Sequence, residues 1–388
     1  MAATTIATPS VPAVKYNLAV GYLRAFLVVL VVAHHAVLAY HPFAPPAPAS
    51  LVAQPRWWEA FPITDPRHWS GFALLVGFND TFFMSLMFLV SGLFVWHGLQ
   101  SKGAARFLRG RLLRLGLPFA IAAAFLAPLA YYPAYLQSTA HAGFRKEWLA
   151  LGQWPAGPAW FIWVLLVFDG IAALLFKVAP RAIAGLGRRP LFVLAISGIV
   201  YIAMALYFTP ADWTSVGPFS FQTSRIFHYL AYFLIGAGLG AVGLDRGLLA
   251  PDGKLARRWP LLAIAALVVF AATSVVAIVA LTVHPQSQAW GAAMDLGFVI
   301  SCAASSFAFL ALFLRFARSR SGMFDSLAAN SYGIYLLHYG FVSWLQYALL
   351  PASLPGIAKG AIVFVLALGL SWGTAAALRR SAAVARVV

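Results

Sequence analysis

The chain has 388 residues, 62% of them apolar and 10% charged, with a mean hydropathy of +0.84, values that exclude an ordinary soluble domain. Lys and Arg outnumber Asp and Glu by 27 to 10, a formal charge of +17, which in a soluble protein would suggest nucleic acid. Here the basic residues fall mostly in alternate loops, the orientation signal of a membrane protein, so the expected partner is the lipid bilayer and nucleic acid is excluded.

Ten apolar spans are expected, at 16–40, 73–99, 112–134, 158–178, 190–208, 223–243, 260–283, 291–314, 328–350 and 357–378. Each is close to the roughly twenty residues that cross a bilayer as a helix. The fold class is therefore all-α, a polytopic membrane protein. With the N-terminus in the cytoplasm, one set of loops collects Lys102, Arg106, Arg109, Arg111 and Arg114, then Arg181, Arg188 and Arg189, then Arg246, Lys254, Arg257 and Arg258, then Arg315, Arg318 and Arg320. The opposite loops hold little beyond Arg56, Arg67, Arg145 and Lys146, so both termini are expected in the cytoplasm. The chain then divides into a short tail, 1–15, a transmembrane domain, 16–378, and a basic tail, 379–388. No cleavable signal peptide is expected, because a basic region followed by a small-residue cleavage site is missing. The lone Cys302 rules out a cysteine-built metal site; no metal or prosthetic group is expected.

The first span carries Arg24 and the pair His34 and His35. A charge in hydrocarbon costs at least a few kcal/mol and is a functional hypothesis by default. Eleven residues separate Arg24 from His35, roughly 20° from three full turns, so both lie on one face about 16 Å apart along the axis. His34 points about 100° away. The plainer alternative is that Arg24 snorkels to the headgroups and the histidines donate to neighbouring helices. The loops at 41–72 and 135–157 are rich in proline and tryptophan, including Trp148 and Trp154. Such rings serve either as interfacial anchors or as a platform for sugar faces.

Span two opens with Asn79 and Asp80. Asp80 lies near the depth of His35, where it would fix that ring's tautomer; the alternative is that it caps the span. In the following RFLRGRLLRLGLPF, Arg111 and Arg114 share a helical face. Their forks suit phosphate oxygens, with anionic lipid as the alternative ligand. Further polar groups within spans are Asp169, Arg225, His228, Asp295 and His338. Asn330, Ser331 and Tyr332 lead into span nine, and Tyr335 and Tyr339 bracket His338, which would also serve as a simple interhelical hydrogen bond. No Ser/His/Asp triad motif, HExxH, P-loop or GxGxxG stands in a credible context.

Together these residues resemble the acyltransferase 3 family of integral-membrane acyltransferases, nearly end to end. The resemblance rests on Arg24 and His35 with ten residues between them, on FFMSLMFLVSGLF with its Ser91, and on Arg111-x-x-Arg114. It rests further on Ala159 to Leu166, which contains Trp160, and on NSYGIYLLHY from Asn330 to Tyr339. The glucans biosynthesis protein C subgroup looks nearest. The resemblance implies a multi-pass protein of a bacterial cytoplasmic membrane. It would move an acetyl or succinyl group from cytoplasmic acyl-CoA, the donor substrate, to a hydroxyl of an extracytoplasmic glycan or other envelope acceptor. His35 and Arg24 would be catalytic, and Arg111, Arg114 and Arg24 would hold the CoA phosphates. Asp80, His34, Trp160 and His338 would support them, with Ser91, Asn330 and Tyr332 as candidate oxyanion donors. The alternative is a transporter or flippase for acyl groups or lipid-linked glycans, which also needs buried His, Asp and Arg. Against it, the chain lacks repeated halves with matching broken helices.

Overall fold

The computed structural model describes residues 17–139, 142–283 and 287–387; the expected tail 1–15 lies outside them. Helix α1 (Leu18–Leu38) begins where the Asn17 side chain accepts the Val20 N–H at 3.2 Å, an N-cap. Helix α2 (Gly71–Lys102) breaks once, at Leu93 and Phe94. Gly103, at φ 76, then turns the chain through a conformation that glycine adopts freely. Helix α3 (Ala104–Gln137) follows at once, so Arg106 to Arg114 occupy its first turns and are not a loop. Helix α4 is Trp160–Val178, and α5 is a bent pair, Pro180–Leu186 and Pro190–Ala205, at 92°.

A hairpin absent from the sequence reading, β1 (Trp213–Val216) and β2 (Phe219–Gln222), closes with Val216 opposite Phe219. Five long helices follow among the described residues: α6 (Ile226–Val242), α7 (Trp259–Thr282), α8 (Gln288–Phe316), α9 (Gly322–Ala348) and α10 (Gly356–Leu378). Ten helical stretches thus coincide with the ten expected spans. Seven of them are long and apolar enough to cross a bilayer, eight with the bent α5 counted as one. Helix α6 is short at 17 residues, and α9 is diluted by buried Asn330, Ser331, His338, Ser343 and Gln346. The molecule is an all-α polytopic membrane protein.

Helix α1 is central, packed by α2, α8, α9 and α10. Helices α2 and α6 touch backbone to backbone. A Cβ at Gly236 would lie 2.0 Å from the Leu89 carbonyl oxygen, and one at Gly92 2.1 Å from that of Phe233. Small residues permit this approach where hydrocarbon supplies no hydrophobic drive between helices.

Helix α3 is shaped by three prolines, each of which removes an N–H that a preceding carbonyl needs. Two π-helical turns, Leu112–Gly116 and Ala122–Leu126, absorb part of the misfit. Aromatic donors satisfy the freed carbonyls. The Tyr332 hydroxyl donates to Arg114, four residues before Pro118, at 2.8 Å. The Trp154 indole donates to Ala123, five before Pro128, at 2.6 Å, and the Trp344 indole to Leu129, four before Pro133, at 3.0 Å. Two of these donors belong to α9, so α3 and α9 are bonded through the positions where α3 cannot bond itself.

At the His35 end of the bundle, residues 41–70 and 142–157 fold into a cap. The Trp58 indole donates to Leu51 at 3.0 Å, and the Glu147 carboxylate accepts the Leu51 N–H at 2.8 Å. The cap is clamped to α10 by an ion pair between Lys359 and Asp65, 2.5 Å long with both side chains fully buried. Trp58 and Trp148 lie buried in this cap, so neither is a lipid anchor nor an open sugar platform. Trp57 alone of the neighbouring pair is half exposed.

Candidate functional site

Helices α1 and α9 run parallel in near-constant register. Tyr22 donates to Asp325 at 2.9 Å, Arg24 to the Ala328 carbonyl at 3.2 Å, and His35 meets His338 at 3.2 Å, at sequence offsets of 303, 304 and 303. The stripe expected on α1 therefore faces one partner helix along its length. Arg24 is exposed, His34 and His35 are half-buried, and His338 is fully buried. Gln346 extends the seam, its amide donating to the carbonyls of His35 and Ala36 at 2.9 and 3.1 Å. It lies eight residues beyond His338, about 80° further round the helix, an offset that gave the sequence reading no signal.

For two neutral rings, the contacts are consistent with one arrangement of the imidazole protons. A ring nitrogen facing a carbonyl oxygen in hydrogen-bond contact must carry a proton, because two lone pairs repel. Nδ1 of His338 lies 2.7 Å from the Tyr335 carbonyl, so it donates and its Nε2 is bare. Nδ1 of His35 lies 2.9 Å from the Val31 carbonyl and 3.2 Å from that bare Nε2. We assign the His35 proton to Nδ1, shared between these two acceptors, which leaves Nε2 of His35 as a free base. The edge of His35 also packs on Tyr339, with ring centroids 5.1 Å apart.

The other expected residues are placed as follows. His34 stacks on Phe83 at 5.2 Å, and its buried Nδ1 has no hydrogen-bond partner among the described residues. Asp80 pairs with buried Arg225 at 3.0 Å and not with a histidine. It does not cap its helix either, which begins nine residues earlier at Gly71. Arg111 pairs with the fully buried Asp169 on α4 at 3.2 Å and lies over the Phe107 ring. Arg114 is exposed. The candidate oxyanion donors are engaged with backbone carbonyls: Ser91 with Met87, Asn330 with Ser326 and Tyr332 with Arg114, each at 2.8 Å. Ser91 and Tyr332 have one proton each to donate, and it is taken. Trp160 packs among Phe88, Trp213 and Tyr229.

Above the histidines, the sequence reading missed Glu59 and Tyr131. The Glu59 carbonyl accepts the hydroxyls of Tyr131 at 2.8 Å and Tyr339 at 3.4 Å, while its carboxylate accepts the Gln153 amide at 2.9 Å. Burial raises the Glu59 carboxyl above its ordinary value, with Gln153 and Arg56 acting in the opposite sense. The sequence signal was weak, since Glu59 sits in a proline-rich loop with no periodicity.

Residues 17–376 match the family model described as an acyltransferase domain. No curated protein and no solved structure matches the chain.

Proposed function

Because the chain belongs to the acyltransferase domain family, which it matches over residues 17–376, we propose that this membrane acyltransferase moves an acetyl or succinyl group from cytoplasmic acyl-CoA to an extracytoplasmic hydroxyl. A glycan or another envelope molecule carries that hydroxyl. The observation behind this reading is the His35–His338 pair at one end of the α1–α9 seam, with exposed Arg24 near the other.

The bare Nε2 of His35 takes the proton of the attacking alcohol while its oxygen bonds to the thioester carbonyl carbon. The C–S bond then breaks, and His35 returns the proton to the leaving sulfur, so no proton is gained or lost overall. In between, His35 is a cation whose Nδ1–H donates to His338, a charge-assisted bond stronger than the neutral one. Arg24 and Arg114 hold the phosphates of the donor, and Arg111, held by Asp169, lines the same mouth.

The orientation follows the positive-inside rule, with the Arg24 end in the cytoplasm. Parallel α1 and α9 need an odd number of crossings between them. Counting α5 and α6 as crossings supplies seven and gives ten spans in all.

The test is purified protein in nanodiscs with radiolabelled acetyl-CoA or succinyl-CoA and a glucan acceptor. Labelled ester is expected from the wild type and not from His35→Ala that remains folded in the disc. A flippase would move label across the bilayer without forming an ester, which would overturn the reading.

A further inference from the structure

A cavity of about 310 Å³ lies between α3 and α9, with the rings of Tyr335 and Tyr339 between it and the histidine pair. Its α3 wall is built from Ala122, Ala127 and Ala130, with Leu129 at the rim, and Gly340 faces it from α9. The polar side-chain hydrogens on the wall are each already donated. Tyr335 donates to Pro158, Tyr339 to Glu59 and Trp344 to Leu129. The lining is otherwise almost entirely apolar, a surface that favours hydrocarbon over water.

Two features give this cavity an occupant. Its rim, Leu129 at 54% exposure, continues the outward stripe of Phe125 and Ile121 on α3. In a membrane span that stripe faces hydrocarbon, so the cavity opens sideways into the bilayer. Its inner wall, Tyr335 and Tyr339, is shared with the reactive pair: the Tyr339 ring touches His35, and the Tyr335 ring lies 5.9 Å from His338.

We propose that this cavity seats the hydrocarbon tail of a lipid-borne acceptor, entering between α3 and α9 and presenting its head hydroxyl to His35. The proposal rests on the acyltransferase reading and narrows its acceptor to one carried by a lipid. Gly340 supplies the probe, because a Cβ built there meets no atom within 4 Å, so a larger side chain fills the cavity without striking the backbone.

The experiment uses the full chain in nanodiscs with a dodecyl glucoside carrying a diazirine at the chain end. After photolysis, adducts are expected on 122–130 of α3 and 336–344 of α9, reduced several-fold in Gly340→Phe, with Gly340→Leu as a milder plug should the first variant fail to fold. In a transfer assay with alkyl glucosides of increasing length, the KM of the wild type is expected to fall as the chain lengthens, and this dependence to vanish in the plugged variants. Adducts spread along the exposed faces of α3 and α7 alike, indifferent to Gly340, would overturn the proposal. Chain-length dependence on the acyl donor in place of the acceptor would overturn it too. Labelling as expected with no transfer to any acceptor would keep the tail site and remove the acyltransferase reading beneath it.

Discussion

Nε2 of His338 lies 3.2 Å from Nδ1 of His35, and each ring's Nδ1 also meets a carbonyl of its own helix. Two helices that begin about three hundred residues apart thus hold one neutral imidazole in a single tautomer.

Loss of His35 should therefore cost about 10²- to 10⁴-fold in turnover, the usual range for a general base. His338 touches no reacting atom in this scheme and acts by positioning. His338→Leu removes a hydrogen bond to a charged ring, about 1.5–3 kcal/mol, or roughly 10- to 100-fold in kcat. The KM for the donor should hardly move, and His338→Gln, which keeps an acceptor, should recover part of the loss. Steady-state kinetics with both variants checks this; a leucine variant as active as the wild type would remove His338 from the mechanism.

Arg111 and Arg114 should separate on mutation, although the sequence makes them look equivalent. Arg114→Ala is expected to raise the KM for acyl-CoA with little change in kcat. Arg111→Ala strands the buried Asp169 and should lower stability by about 3–5 kcal/mol, the range for breaking a buried pair. Adding Asp169→Asn should restore most of that stability. Denaturation midpoints and donor KM, measured on the three proteins, distinguish anchoring from phosphate binding.

The clamp between Lys359 and Asp65 carries a similar expectation. Lys359→Met leaves a buried carboxylate without its cation, at about 3–5 kcal/mol, and should loosen the cap before the bundle. Faster proteolysis within 41–70, together with a lower unfolding midpoint, is the expected result. The double variant with Asp65→Asn should be less damaged than the single one.

Glu59 gives the pH prediction. Its carboxyl is raised in the folded protein, so the folded state holds a proton that the unfolded state has released. Stability contributed by the neutral form is present at low pH and declines as pH climbs from the ordinary 4.5 through the raised value. Glu59→Gln, which keeps an acceptor for Gln153, should lack this decline. Unfolding midpoints compared from about pH 4 to 8 should show the variant gaining on the wild type as pH rises.

The helices were legible because hydrocarbon demands long apolar runs, and the seam was legible because Arg24 and His35 share a helical face. His338 could be named but not paired, since the contact joins residues 303 apart. Asp80 was assigned to the wrong partner for the same reason: its depth matched His35, but Arg225 across the α2–α6 interface holds it. Arg106 and Arg109 were placed in a loop because charge masks the helix that starts at Ala104, whereas Arg111 and Arg114 were already given one helical face. The cap was unreadable, because its order comes from single bonds such as Trp58 to Leu51 and not from a repeating pattern.

The prolines of α3 have a consequence for the order of events during synthesis. A helix interrupted at Pro118 and Pro133 leaves the carbonyls of Arg114, near the cytoplasmic mouth, and Leu129, deeper in the span, without their usual helical donors. Tyr332 and Trp344, which satisfy them, leave the ribosome some two hundred residues later. Until α9 inserts, the third span waits as an incomplete object in the lipid, and the final stretch of translation completes a part of the machine laid down near its beginning.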